Sequence, residues 1–232
     1  MQFQKINIKL FILASILFCL ISEYVYSQKF DLSNLSGVKL GRVKYSGGGD
    51  WYNDPSADEN MLKFLVENTN INVVPKYEFV DLSTDNIFQY PILFLTGHGN
   101  INFSEPEVER LRKYLDAGGF LYIDDDYGLD SYIRKEIKKV YPDKKLIELP
   151  PNHKIFNIHF NLPKGVPKVH EHDDKEPQTF AIMNDDRIAI LYTYESNPSD
   201  GWADPEVHKD SKEKRLESLK FGANMLIYAL TR

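Results

Sequence analysis

The chain has 232 residues, 42% hydrophobic and 27% charged, a globular composition with enough apolar material for one large α/β domain. Its balance is acidic, 34 Asp+Glu against 28 Lys+Arg, and it has no basic run, which excludes the usual grip on phosphate backbones and argues against nucleic acid. The single cysteine, Cys19, lies close to the N-terminus, so the chain beyond it has no disulfide, no thiolate metal site and no cysteine nucleophile.

Lys5 and Lys9 precede the apolar run Leu10–Ile21, and Val25-Tyr26-Ser27 follows. A charged start, a short apolar middle and a small-residue exit form the pattern of a secretory signal. At 12 residues the run is shorter than the roughly 20 that a helix needs to cross a bilayer. The expectation is a signal over residues 1–27, a polar lead-in over 28–37 and one domain over 38–232. The product would be periplasmic or extracellular, with no membrane span after cleavage; an uncleaved anchor is the alternative. Without residues 1–27, which carry Lys5, Lys9 and Glu23, the formal net charge moves from −6 to −7.

Val38–Tyr45 alternates apolar and polar positions and predicts a first strand. It enters a turn, Gly47-Gly48-Gly49-Asp50-Trp51-Tyr52. Ser56 and Glu59 have capping-box spacing ahead of a Met61, Leu62, Leu65, Val66 stripe, so a helix is expected there. Lys76–Val80 reads as a short strand, and the apolar run Pro91–Thr96 as a central strand covered on both faces. Ser104 and Glu107 cap a second helix that stops at Gly118-Gly119. Phe120–Ile123 is the next buried strand, with Asp124-Asp125-Asp126-Tyr127-Gly128 expected as the turn beyond it. A helix over about Asp130–Val140 and a strand over Lys145–Leu149 follow. Residues 152–177 and 195–209 are long loops, and loops of such length are usually functional or mobile. Between them Asn184-Asp185-Asp186 marks a hairpin. The closing helix places Leu216, Leu219, Ala223, Leu226, Ile227 and Leu230 on one face.

Alternating strands and helices predict a mostly parallel sheet with helices on both sides and a C-terminal β-hairpin plus helix. Ligands of such sheets bind beyond the carboxyl ends of the strands. The segments Gly47–Tyr52, Gly97–Asn100, Asp124–Gly128 and Asn152-His153 are expected on that rim.

The stretches YSGGGDWY, YPILFLTGHG, EVERLRKYLDAGGFLYIDDD, LPPNHKIF and GANMLIYAL resemble an uncharacterised bacterial family of unknown function. That family is placed in the class I glutamine-amidotransferase-like superfamily, near the trehalose-utilisation-like proteins. The resemblance covers nearly all of residues 38–231 and implies a flavodoxin-like three-layer α/β/α fold, with no known activity. True amidotransferases of this class carry a cysteine nucleophile in the elbow after the strand equivalent to Phe120–Ile123. Here that strand leads into three aspartates, so glutaminase chemistry through a thioester has no nucleophile.

Asp124, Asp125 and Asp126 are candidates for general base or cation ligand, although three adjacent carboxylates repel and one is expected to cap the next helix. His98, between two glycines, and His153 are candidate acid–base groups, or else histidines that fix their loops. In the segment His170-Glu171-His172-Asp173, alternate side chains of an extended chain share a face. His170 and His172 could then take one divalent ion, with Asp173, Glu195 or His208 completing the shell; a solvated acidic loop is the plainer alternative. Gly48 and Gly49 are candidate ligand-binding positions, where the backbone can approach another group closely, although they lack the spacing of a phosphate cradle and a tight turn is the plainer alternative. Asp50, Trp51, Tyr127 and Trp202 stand in loops as a candidate surface for stacking a sugar ring, or as small satellite cores. The favoured function is binding of a small-molecule, glycan or protein ligand at the rim, with no certain cofactor. The alternative is a carboxylate/histidine hydrolase, with or without a divalent metal ion.

Overall fold

Strand β1 (Val38–Lys44) and strand β2 (Val73–Asp81) pair in parallel, with helix α1 (Ala57–Asn68) as their crossover. The computed structural model that defines these elements describes residues 37–170 and 172–232. The expected signal segment, Cys19, most of the polar lead-in and Glu171 lie outside the described residues. Strand β3 (Ile92–His98) pairs with the other side of β1. Helix α2 (Glu105–Asp116) then leads to β4 (Phe120–Tyr127), and helix α3 (Asp130–Val140) follows. After the two-residue β5 (Ile147–Glu148) the chain makes a long excursion. It returns as the hairpin β6 (Gln178–Asn184) and β7 (Arg187–Tyr194), then as the short α4 (Pro205–His208) and the long α5 (Lys212–Leu230).

The seven strands form one sheet in the order β2-β1-β3-β4-β7-β6-β5. Its first five members are mutually parallel, and the hairpin partner β6 and then β5 add antiparallel pairs. The fold is therefore α/β with a mixed, mostly parallel sheet. Period-2 alternation divides the core between the two faces. Ile92 and Phe94 of β3 point into a cluster with Met61, Leu65, Phe221 and Leu226, hence towards α1 and α5. Leu93 and Leu95 point into a second cluster with Leu111, Leu115, Ile133 and Ile137, hence towards α2 and α3.

Several local expectations change on contact with the tertiary structure. The Ser104/Glu107 capping box forms. The Ser56/Glu59 box does not, because the Ser56 hydroxyl accepts a hydrogen bond from the Asp204 amide across the molecule instead. Val66 and Leu216, assigned to buried stripes, are exposed. The aspartates 124–126 are not a turn: β4 runs through them to Tyr127, with Thr96↔Asp124 and Gly97↔Asp125 paired to β3. Their side chains therefore alternate between the two faces of the sheet. Among the described residues no helix is long and apolar enough to cross a membrane.

Candidate functional site

The carboxyl ends of β1, β3, β4 and β7 open onto one rim, and the loops after them converge there. Because β4 pairs with β7, Asp124 meets the loop that leaves β7. Its Oδ1 accepts from the Thr193 hydroxyl at 2.6 Å and its Oδ2 from the Ser199 amide and hydroxyl at 2.8 and 2.7 Å. Burial raises the Asp124 pKa to about 7, against those hydrogen bonds. With both oxygens occupied, Asp124 ties down the loop of residues 195–200 and does not face the solvent. Asp125 points to the other face, where its Oδ1 accepts from the Leu129 amide at 2.8 Å at the entry to α3. It is the helix-capping member of the three, with its pKa raised to about 6, chiefly by burial.

Asp126 returns to the face of Asp124 and is the centre of the rim. The Asn53 and Asn197 side-chain amides both donate to it. His98 Nδ1 stands 3.2 Å from its Oδ2. Burial raises its pKa first, and the negative charges of Asp200, Asp124, Asp54 and Asp50 add to this, taking it to about 9. His98 is held by Asp50, which accepts from its backbone N–H at 2.6 Å and faces Nδ1 at 3.0 Å. The imidazole remains 51% exposed and stands at the mouth of the cluster.

Asp200 opens a 3-10 turn, Asp200–Trp202, and is only 2% exposed. His170 Nδ1 lies 2.6 Å from its Oδ2, and His208 Nδ1 lies 3.9 Å from the same oxygen. Burial pushes the Asp200 carboxyl upward, but the hydrogen bond from His170 and the charges of His208 and His170 outweigh it and leave the pKa below the usual value. The same contact raises His170 above its ordinary value. Asp200 Oδ1 is buried and has no hydrogen-bond donor among the described residues. Asp54 faces Asp200 and also meets His208 Nε2 at 2.9 Å; its pKa is raised by burial and by the Asp200 charge. Ligand-type atoms of His170, Asp200 and His208 lie within 4.8 Å of one another, and so do those of Asp54, Asp126 and Asp200. Oxygen and imidazole donors in this mixture suit a divalent cation of the zinc or manganese type.

Four expectations are corrected. Trp202 is not a stacking surface: it is 0% exposed, its indole N–H donates to the Ser218 carbonyl at 2.9 Å, and its ring packs against Phe94 and Tyr122. It anchors the turn that presents Asp200. Gly201 belongs to the same anchor, since a Cβ there would stand 2.6 Å from Ser218 Cβ. His153 lies away from the rim. It accepts from the Ile155 amide and packs near Tyr228 in the last turns of α5, where Leu226 and Leu230 lie beside Val38, Val73 and Ile92 at the opposite ends of the strands. His170 and His172 do not share a ligand face, because the His170 ring turns to Asp200. His172 instead meets Asn197 at 2.7 Å and stacks on Tyr127. Asp173 and Glu195 tie their two loops together, the Asp173 amide donating to Glu195 while the Asp173 carboxylate pairs with Lys175, and neither joins the cation-type clusters.

Other residues take structural places. Gly49 donates its N–H to the Asn100 carbonyl at 3.0 Å, and a Cβ there would stand 2.7 Å from the His98 carbonyl, so it serves close packing and not an anion cradle. Gly48 faces open space beside it. Trp51 packs edge-on against Tyr52 and Phe79 in a satellite cluster at the edge strand β2. Tyr127 is 53% exposed beside Asp126. Sequence reasoning missed Asp54, Asn53 and Asn197 and gave Asp200 no role; the only signal was a density of Asp, Asn and His in loops flanking the sheet.

A family model described as a domain of unknown function, DUF4159, matches residues 39–230. The chain belongs to this family. No curated protein matches it. The matched span of this DUF4159 chain contains every strand but the first residue of β1, and all the rim residues described above.

Proposed function

We propose that the rim of this DUF4159 chain is a divalent-cation-dependent hydrolytic site. The observation that carries the reading is Asp200: a buried carboxylate, one oxygen without a donor, set between His170 and His208 on one side and Asp54 and Asp126 on the other. Several carboxylates that face each other out of water need protons or cations, and the paired histidines add neutral donors that a cation uses and a proton alone does not require. A cation held by His170, Asp200, His208, Asp54 and Asp126 would supply Lewis acidity towards a water and towards an electrophilic carbonyl or phosphoryl group. A cluster carboxylate would take up the water's proton, and His98, oriented by Asp50 and exposed at the mouth, would give a proton to the leaving group.

The sequence-based preference for glycan or protein binding at the rim loses one of its supports, since Trp202 lies in the core and offers no stacking face. A binding reading survives at one place, the exposed Tyr127 ring stacked on His172 beside Asp126, which could orient a sugar ring or a peptide side chain. Export from the cell and descent from the glutamine-amidotransferase-like superfamily with a flavodoxin-like fold complete the proposal. The parallel five-strand core supports the second of these.

The test is a thermal melt of EDTA-stripped protein with Zn2+, Mn2+, Mg2+ or Ca2+, together with cation-dependent turnover of chromogenic esters and phosphoesters. Saturating cation is expected to raise the melting temperature by about 5 °C or more, from about 2–3 kcal/mol of linkage. Asp200→Asn should abolish both the shift and the turnover. A melting temperature that ignores every cation overturns the proposal.

A further inference from the structure

We infer that the rim binds two divalent cations, with Asp200 as the carboxylate that bridges them. The inference rests on the cation reading above and deepens it. Two triads of ligand-type atoms are present, His170/Asp200/His208 and Asp54/Asp126/Asp200, and Asp200 is the member they share. Its two oxygens stand in different environments. Oδ2 is engaged by His170 at 2.6 Å and by the Asn197 amide at 3.3 Å, while Oδ1 is buried with no donor among the described residues. A bridging carboxylate uses one oxygen for each ion and holds the ions about 3.5–4 Å apart, the usual spacing of two-metal hydrolytic sites.

Charge points the same way. Asp54, Asp126 and Asp200 lie close together, and Asp50 and Asp124 stand next to Asp126. Among the described residues no Lys or Arg forms an ion pair with Asp54, Asp126 or Asp200; their charged partners are histidines. One divalent ion leaves this group net negative, and a second brings it near neutrality.

The two half-sites differ in chemistry. The histidine half offers two imidazoles and one carboxylate. His170 directs Nδ1 at Asp200, while its Nε2 faces the buried Asp210 carboxylate at 3.6 Å, in the manner of an outer carboxylate that fixes the tautomer of a metal-bound histidine. That half suits zinc. The carboxylate half offers oxygen alone and suits manganese or magnesium. Asp200 is rigidly placed between them, because Trp202 is locked in the core and Ser199 is held by Asp124.

Metal content and Mn2+ electron paramagnetic resonance test this on the full chain. Wild type should bind two ions per chain, with the spectrum of a spin-coupled Mn2+ pair at saturation. His170→Ala plus His208→Ala should keep one ion, as should Asp54→Asn plus Asp126→Asn, and each should lose the coupling. Retention of one ion in both variants also shows that both remain folded. A wild-type stoichiometry of one, or two ions with no coupling, overturns the bridge and leaves the single-cation reading standing. A stoichiometry of zero overturns both.

Discussion

Two groups of buried charge lie on the same face of the sheet a few residues apart, and they are built in opposite ways. Arg42 of β1 and Asp58 of α1 form a pair at 2.5 Å, both almost fully buried. Every guanidinium nitrogen is engaged: Nε donates to the Trp51 carbonyl, and the terminal nitrogens donate to Asp58, the Asn53 carbonyl and the Asn53 side chain. Asn53 passes its own amide on to Asp126, where the second group begins. Asp126 and Asp200 are almost as withdrawn from water and Asp54 is partly buried, but their partners are amides, histidines and each other. An unpaired carboxylate oxygen is not by itself the distinguishing sign, because Asp58 has one as well. The difference is that the first group carries a permanent counter-charge, whereas the second has only histidines, whose charge is conditional on a proton. A carboxylate with an internal arginine is a structural element; a set of them with none has room for a cation from solution.

The largest effect is expected where the compensated pair is broken. Arg42→Ala leaves Asp58 buried and alone and should cost about 3–5 kcal/mol in urea unfolding, whether or not divalent cation is present. A cost that vanishes on adding cation would place Arg42 inside the functional cluster and dissolve the contrast. The next effect concerns pH. Asp126, with a folded pKa of about 9, and Asp124, at about 7, bind protons in the folded protein that the unfolded chain has released. Their contribution to stability is whole below the unfolded carboxyl range near pH 4 and is lost as pH rises through the folded values. Raised His170 acts in the same direction. Lowered Asp200 acts oppositely, but only at acid pH, where its stabilisation is lost as pH falls through its folded value. Cation-free protein should therefore lose stability steadily from about pH 5 to pH 9. Asp126→Asn should flatten much of that slope, and saturating cation should offset it. Melting curves across that range decide the matter, and a flat profile in wild type would contradict the uncompensated cluster. The smallest effect belongs to a compensated pair in solvent. Lys39 and Glu78 meet at 2.6 Å on the surface, and Lys39→Ala should leave the urea midpoint unchanged within error.

How far the sequence speaks depends on the range of the interaction. Ser104 and Glu107 are three residues apart and form the capping box that their spacing predicts. Ser56 and Glu59 have the same spacing and do not, because the Asp204 amide, remote in sequence, takes the serine. The apolar run of β3 is legible as a strand buried on both faces. The aspartates of β4 are legible as unusual, but their assignment to a turn fails. Their separate tasks, tying down a loop, capping a helix and facing the cluster, follow from strand alternation beyond Ile123. Trp202 shows the strongest reversal, since a tryptophan in a polar loop becomes the anchor of that loop once the loop folds over the sheet.

By itself, then, the sequence determined the α/β class, the order of most elements, the absence of a thiol in the described chain and the acidity of the rim. All of these are set by residue type, local period and turn chemistry. Only the tertiary structure decided which histidines meet which carboxylates. That choice depends on β7 lying beside β4, which carries the 195–208 loop over Asp126 and Asp54, and on the core position of Trp202, which fixes Asp200 there. Strand order arises from packing between segments far apart in the chain, and no short-range pattern records it.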